Sequence, residues 1–166
     1  MEKLNNIKVN LVEKLGVHME KRGQIAPVAA RILAYVVLTG KKGTTFEDLV
    51  SNLCASKSTI STHLNHLQDL KRLNYFTKPG DRKKYFIINT ETMIKDISDL
   101  IDEWKDEQEL HIEIMNYKIE ANKTLEKDNK FDCHIHENFI EFHNEAIKSI
   151  SKLKETIVEH KQLIKH

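Results

Sequence analysis

The residues best suited to chemistry lie in one stretch without acidic side chains, from Lys57 to Leu67. Ile60, Leu64 and Leu67 recur at helical spacing and are expected to face inward. The outward side chains that we expect to contact a DNA major groove are short and polar or basic: Lys57, Ser58, Thr59, Ser61, Thr62 and His63. A surface that enters a groove lined by phosphates and base edges needs this character. The alternative is a solvated helix face, but an exposed helix of this length usually carries several carboxylates.

A second basic group, Arg82 and Lys83, lies in a predicted turn. The segments 75–77 and 84–88 are rich in aromatic and β-branched residues, which is typical of strands, and Pro79 and Gly80 break the chain between them. A hairpin tip with this charge is expected to reach a minor groove or the phosphates, unless it is only a basic solvated turn. Asp81 is expected to orient Arg82 or to cap the turn.

Four helical segments are predicted to position these groups. The first places Leu4, Ile7, Leu11, Leu15 and His18 on one face, and the second begins at Pro27 and is apolar nearly all round. Thr45 is a natural N-cap for a short helix that ends near Leu53, and Ser56 can cap the helix with Lys57. The short separation of these last two helices suits an angled helix-turn-helix. The basic hairpin that follows them then predicts a winged helix.

The second half of the chain differs in composition. Every glycine and proline lies before residue 81, and the charge changes from +8 over residues 1–90 to −7 over residues 91–166. A basic half suits a polyanion, which the acidic half would repel. We therefore predict a DNA-binding domain over residues 1–90 and a helical dimerisation region over 91–166, within a mainly α fold.

Two long helices with apolar stripes are predicted in this region, separated by a polar break at 128–132. The first stripe comprises Ile94, Ile97, Ile101, Trp104, Gln108, His111, Met115, Lys118, Asn122 and Leu125. The second comprises Phe139, Phe142, Ala146, Ile150, Leu153, Ile157, His160 and Ile164. Each stripe needs another helix, from the same chain or a second subunit, to cover it.

Three segments in this order resemble the GbsR branch of the MarR-like winged-helix regulators: residues 29–33, residues 55–61 and residues 79–86. The similarity extends over residues 10–90. It implies a homodimer on a near-palindromic operator in double-stranded DNA, and regulation, usually repression, that a small effector relieves. In the named branch the effector is choline. Thr62 departs from the pattern, because related regulators often carry Arg there.

Histidine and cysteine residues raise the question of a metal site. Cys133, His134 and His136, with His143 further on, are ligand types that suit zinc or copper. On a helix, however, residues 134 and 136 point in nearly opposite directions, so we expect no metal site and interpret these residues as an exposed helix start. His18, His111 and His160 are expected to be core or helix-seam residues.

Aromatic residues offer a candidate effector site, although core packing is the more ordinary role of such rings. Trp104, Tyr117, Phe139 and Phe142, or Tyr35, could form a cage for a quaternary ammonium ion. The chain lacks a Gly-rich phosphate loop, a His-Glu-x-x-His motif and a Gly-x-Ser-x-Gly motif. We therefore expect a non-enzyme without a cofactor.

The remaining expectations concern location and the principal rival function. Two cysteines fit a reducing compartment, and no apolar run is long enough for a signal core or a membrane span, so a cytoplasmic protein without a membrane partner is expected. The rival is a helical interaction protein whose winged helix binds another protein instead of DNA.

Overall fold

The computed structural model describes residues 2–164, with side chains for residues 3–161. Over this range the elements, in chain order, are α1 (Glu2–Gly23), α2 (Pro27–Thr39), α3 (Phe46–Asn52), α4 (Lys57–Asp69), β1 (Leu73–Phe76), β2 (Tyr85–Ile88), α5 (Thr90–Ala121) and α6 (His134–Ile164). The fold is mainly α with one two-stranded sheet, which confirms the predicted winged helix-turn-helix with long C-terminal helices. The chain forms two compact units, Met1–Thr92 and Met93–His166, which are described separately.

Helix α2 forms the centre of the first unit. It begins at Pro27, as predicted, and ends where Gly40 takes a positive φ of 68°. Its apolar residues pack against α3, α4 and the strands, and the buried cluster comprises Ala29, Ile32, Leu33, Val36, Leu49, Ile60, Leu64, Leu67, Leu73 and Phe86. Each large aliphatic side chain removed from water contributes about 1.5–3 kcal/mol, so this cluster fixes the orientation of α4.

The face of α1 that packs within the unit is not the predicted apolar stripe. Val12 and Gly16 are buried, whereas Leu4, Ile7, Leu11 and His18 are exposed, so His18 is not a core residue of the unit and a role of this stripe in a seam with a second subunit stays a prediction. The physical reason is close approach: a Cβ on Gly16 would lie 2.9 Å from Cγ of Arg31 on α2.

Arg31 then joins the two helices by ion pairs. Its guanidinium lies 3.0 Å from the Glu13 carboxylate and 3.2 Å from that of Glu20. The contact between α1 and α2 is therefore set by a small residue and a polar clamp, and not by the most apolar side chains of α1.

Local capping defines the helix-turn-helix. Thr45 and Asp48 form a reciprocal capping box at the start of α3, with bonds of 3.0 and 3.1 Å. Cys54, at φ 49°, turns the chain, and Ser56 caps α4 by accepting a hydrogen bond from the Thr59 amide. These boundaries agree with the predicted helix starts at Thr45 and Ser56.

The wing is a hairpin whose first strand lies slightly earlier than predicted and whose second strand begins one residue later. Leu73 pairs with Ile88 and Phe76 with Tyr85, so β1 begins two residues before the predicted segment. The buried side chains of Leu73 and Phe86 explain this register, because a shift by one residue would expose both. Outside the two strands, Thr44 forms an isolated β-bridge with Phe86, in which the two residues exchange backbone hydrogen bonds of 3.0 and 2.8 Å.

The second unit is an antiparallel helical hairpin. Contacts pair Gln108 with Asn144 and the Ile140 carbonyl, and pair His111 with His136. The connection, 122–133, is longer than the predicted break and is fastened where Asn122 exchanges two hydrogen bonds with the Phe131 backbone. Every residue of the predicted α5 stripe is at least partly buried, as expected.

The predicted stripe on α6 is covered only in part within one chain, and its cover by a second subunit stays a prediction. The row facing α5 includes the buried His136 and His143 and the partly buried Ile140 and Ile150, whereas Phe139, Phe142, Leu153 and His160 are exposed to differing degrees. The side chain of Ile164 lies outside the described residues. The helix has two apolar ridges, and the ridge with the larger side chains is not the one covered by α5. Histidines occupy the covered ridge because α5 offers them polar partners.

Candidate nucleic-acid interface

Helix α4 presents the predicted polar face. Ile60 and Leu67 are fully buried and Leu64 is nearly so, which directs the opposite side of the helix outward. Lys57, Ser58, Ser61 and Thr62 are exposed, and Thr59 and His63 are partly buried. The structure thus brings all six predicted groove-facing residues onto the first two turns of one helix, without a carboxylate before Asp69.

Three hydroxyl groups at the start of α4 form a local network that the sequence analysis missed. Ser56 Oγ accepts from the Thr59 amide at 3.1 Å and lies 2.8 Å from both Ser58 Oγ and Thr59 Oγ1. The N-cap signal of Ser56 was visible in the sequence, but the rotamers that draw in its neighbours were not. Ser58 and Thr59 are therefore oriented by the cap before any ligand arrives.

The remaining polar groups of α4 differ in how much of their hydrogen-bonding capacity is free. Thr62 Oγ1 donates to the Ser58 carbonyl at 3.0 Å, so its hydroxyl proton is used within the helix and its methyl group and lone pairs remain. Ser61 is exposed, and its hydroxyl group makes no hydrogen bond with the described part of the chain. Hydroxyl and imidazole groups at Ser61 and His63 are thus available to base edges, and Lys57 supplies positive charge.

The wing presents Arg82 and Lys83 as exposed side chains near its tip. Asp81 shapes this turn: its carboxylate accepts from the Lys83 amide at 2.9 Å and from the Tyr85 hydroxyl at 2.6 Å. Asp81 therefore caps the turn, which was one of its two expected roles. Hydrogen bonding from Tyr85, then from the Lys83 amide, together with the charges of Lys83 and Lys78, holds the pKa of Asp81 below its usual range.

Aromatic and cationic contacts stiffen the hairpin behind the tip. Phe76 and Tyr85 stack with ring centroids 5.5 Å apart, and Lys78 Nζ lies 3.8 Å from the centroid of Tyr85. On the other face Lys84 Nζ lies 4.2 Å above Tyr75. These contacts keep several positive charges on a defined surface.

The histidine and cysteine residues of the second unit do not converge on a metal. Among the described residues, no group of three His, Cys, Asp or Glu side chains could hold a metal ion. His134 is exposed, as expected for a helix start, but His136 and His143 are buried, which corrects that interpretation for these two residues.

The candidate cage residues divide among separate contacts. Trp104 faces Phe142 with centroids 6.4 Å apart, Phe139 stacks on His111 at 4.6 Å, and Tyr117 lies against Phe131. In the first unit the ring of Tyr35 is covered by Lys8 Nζ at 4.0 Å. An aromatic effector site thus remains a proposal. No helix within residues 2–164 combines the length and apolar character of a membrane span.

Comparisons with known proteins give structural matches of low identity, with TM-scores below 0.5. No family model and no curated protein matches the sequence. A crystal structure described as a transcriptional regulator is 18% identical, with a TM-score of 0.49, over 93% of this chain and 98% of that one. Two variants of S. aureus MepR, one from a multidrug resistant clinical isolate, are each 20% identical with TM-scores of 0.41. Each of these two alignments covers 74% of this chain, and 89% and 91% of the respective MepR chains.

Proposed function

We propose that the protein is a DNA-binding transcriptional regulator that uses α4 to read a major groove. The observation that carries this proposal is the outward face of α4, which is polar or basic, lacks carboxylates and is held in place by the buried Ile60, Leu64 and Leu67. Groove surfaces need donors and acceptors with a positive balance. The exposed basic wing supplies a second contact beside the same helix-turn-helix.

The DNA contact proposed for each side chain follows from its chemistry. Lys57 and the amide-rich start of α4 would bind phosphates. Ser61, Thr62 and His63 would meet base edges, with the Thr62 methyl suited to the methyl group of thymine. Arg82 and Lys83 would contact the flanking minor groove or backbone.

We further propose that the protein acts as a homodimer on a near-palindromic operator, as the resemblance to GbsR-like regulators implies. Exposed apolar side chains on the α5–α6 hairpin support an assembly: Leu110, Tyr117, Ile135, Phe142 and Leu153 are each more than half exposed. Apolar residues at this density usually mark an interaction surface. Repression relieved by a small effector belongs to the same proposal, and a ligand-induced change in Trp104 fluorescence would test the effector.

The first experiment is binding of the full chain to its own promoter DNA and to a scrambled duplex over a salt series. We expect preferential binding to the promoter, with affinity that falls steeply as salt rises, because phosphate contacts release counterions. Equal weak binding to both duplexes would contradict the operator proposal. Protein binding that persists at high salt without DNA would favour the rival interaction module.

Substitutions on α4 should separate phosphate contacts from base contacts. Lys57→Ala is expected to weaken binding to promoter and scrambled DNA alike. It should also reduce the salt slope, which is the slope of log affinity against log salt concentration, by about one. Thr62→Ala removes a methyl group from the groove surface, so it should change base preference more than the salt slope. Titrations of both variants against a panel of single-base operator changes would measure the difference. If both variants bind DNA as the wild type does, the assignment of α4 as the helix that enters the groove is wrong.

The dimer proposal predicts that a charge on the exposed ridge of α6 separates the subunits. Leu153→Glu would place a carboxylate in an apolar contact, which costs several kcal/mol unless it is paired. Sedimentation velocity should show a shift from dimer to monomer at micromolar concentration. Ser149→Glu is the matched control, because it adds the same charge at an exposed position on the same helix. Equal dimerisation in both variants would place the interface elsewhere.

A further inference from the structure

Three histidines form a row between α5 and α6 in the second unit. His136 is 8% exposed and His143 is 2% exposed, and both face His111 on the opposite helix. The centroid of His111 lies 5.2 Å from that of His136 and 6.1 Å from that of His143. Most other titratable side chains of this unit are solvated, so the burial of two imidazoles in its seam is a distinct feature.

The pairing of two of these rings restricts their protonation. Nδ1 of His111 lies 2.9 Å from Nδ1 of His136, which is a hydrogen-bond distance. One of the two nitrogens must donate and the other must accept, so the pair holds one proton between these atoms. A second proton there would set two N–H groups against each other and break the bond.

The surroundings offer a second charge little compensation. His136 Nε2 and His143 Nδ1 are buried without hydrogen-bond partners in the described chain. Phe139 stacks on His111, with ring centroids 4.6 Å apart and ring planes 10° apart, which places an apolar face over the pair.

The charged groups that face the row come from both helices. On α5, Glu107 lies 3.4 Å from Nε2 of His143, and Lys118 adds a positive charge near His136. On α6, Glu137 is engaged with the exposed His134. Glu107 thus faces His143, whereas Lys118 and His111 both act on His136 from α5 with positive charge.

We propose that the His111–His136 pair, with His143 beside it, makes the α5–α6 hairpin sensitive to pH, because the neutral rings hold the helices together by sharing one proton between their Nδ1 atoms and a second proton between those two atoms separates them. The cluster would then be a regulatory element in the predicted dimerisation region. Release of DNA at mildly acidic pH would follow only if the proposed function is also correct, since that step depends on the dimer.

The direction of the pH effect follows from His136. Burial, then the charges of Lys118 and His111, lowers the pKa of His136 below its usual value. A base with a lowered pKa in the folded state contributes its full stability above the unfolded value of about 6.5. That stability is lost as the pH falls below 6.5 towards the folded value. Hairpin stability should therefore decrease as the pH falls below about 6.5.

Trp104, the one tryptophan, reports on this hairpin and makes the test independent of DNA. Denaturant unfolding of the full chain, followed by Trp104 emission at pH 7.5, 6.5 and 5.5, should show the unfolding constant rising below 6.5. One linked proton raises it by at most about tenfold per pH unit. His136→Gln keeps a neutral hydrogen-bonding group and should flatten this dependence.

The matched control is His134→Gln, which removes an exposed histidine from the same helical turn and should keep the wild-type slope. A flat wild-type profile, or a wild-type slope in His136→Gln, would overturn the proposal. If His136→Gln fails to fold, NMR titration of the wild-type imidazoles decides: the proposal requires the pKa of His136 to lie below the ordinary histidine value of about 6.5. An ordinary midpoint for His136 would overturn it. Neither readout involves DNA, so its failure is distinct from failure of the proposed function.

Discussion

Replacing Ser61 by glutamate should abolish specific DNA binding while leaving the fold intact. Ser61 lies in the middle of the exposed face of α4, and a carboxylate there would point toward phosphates and base acceptors. Like charges placed together in an interface cost several kcal/mol. We expect the affinity for promoter DNA to fall about 30-fold or more, since each 1.4 kcal/mol corresponds to a factor of ten. Fluorescence anisotropy with labelled promoter DNA would measure the loss.

The interpretation of this result depends on two comparisons. Ser149→Glu makes the same chemical change at an exposed position on α6, and it should bind DNA with nearly wild-type affinity. Circular dichroism should show unchanged helix content in Ser61→Glu, because the side chain contacts no buried group. Normal operator binding by a folded Ser61→Glu variant would mean that α4 does not enter the groove.

The helix-turn-helix could be predicted from the sequence because its signals are local. Pro27, Thr45 and Ser56 each begin a helix by satisfying, or by not needing, backbone groups at the helix terminus, and such signals act within three residues. The apolar spacing of Ile60, Leu64 and Leu67 then fixed which side of α4 faced outward. Local capping and periodicity therefore account for both the fold of this region and its candidate site.

The packed faces of α1 and α6 could not be predicted in the same way. Both helices carry more apolar residues than one partner can cover, so periodicity alone does not say which ridge is used. On α1, Gly16 and the Arg31 clamp decide the outcome through close approach to α2. On α6, the decision rests on polar partners supplied by α5, such as Gln108 and His111. In both cases the deciding residues lie on two helices that are far apart in the sequence, and none of them is a large apolar residue of the kind that periodicity detects.

Side-chain rotamers account for the other missed features. The sequence shows Ser58, Thr59 and Thr62 as three equivalent polar residues, whereas the structure commits two of them to the Ser56 cap and the third to the Ser58 carbonyl. Their remaining hydrogen-bonding capacity therefore differs. Ser61 emerges as the hydroxyl with the most freedom to read a base, which is why it carries the first prediction.

Replacing Gly43 by alanine should destabilise the wing and the domain beneath it. Gly43 has φ 75° and ψ 159°, a conformation that costs a residue with a Cβ about 1–3 kcal/mol. The added Cβ would also lie 2.8 Å from Cβ of Tyr85 and 3.1 Å from the Phe76 ring. Tyr85 Cβ is fixed by the strand backbone and cannot swing away, so overpacking should add about 1–3 kcal/mol more.

Gly40→Ala separates these two contributions. Gly40 has a similar backbone, with φ 68° and ψ −147°, but a Cβ there would meet no atom within 4 Å. Both variants should therefore show the backbone cost, and only Gly43→Ala should show the packing cost. The amides of Thr44 and Phe86, which bond each other's carbonyls beside Gly43, are the appropriate probes for hydrogen exchange in the full chain.

Faster exchange at both amides in Gly43→Ala than in Gly40→Ala would show that close approach at Gly43 holds the wing to the core. Equal exchange in the two variants would instead mean that Tyr85 and Phe76 move aside at little cost. The wing would then be a flexible attachment. Arg82 and Lys83 would lose a fixed position from which to contact DNA, so the result bears on the proposed interface as well as on stability.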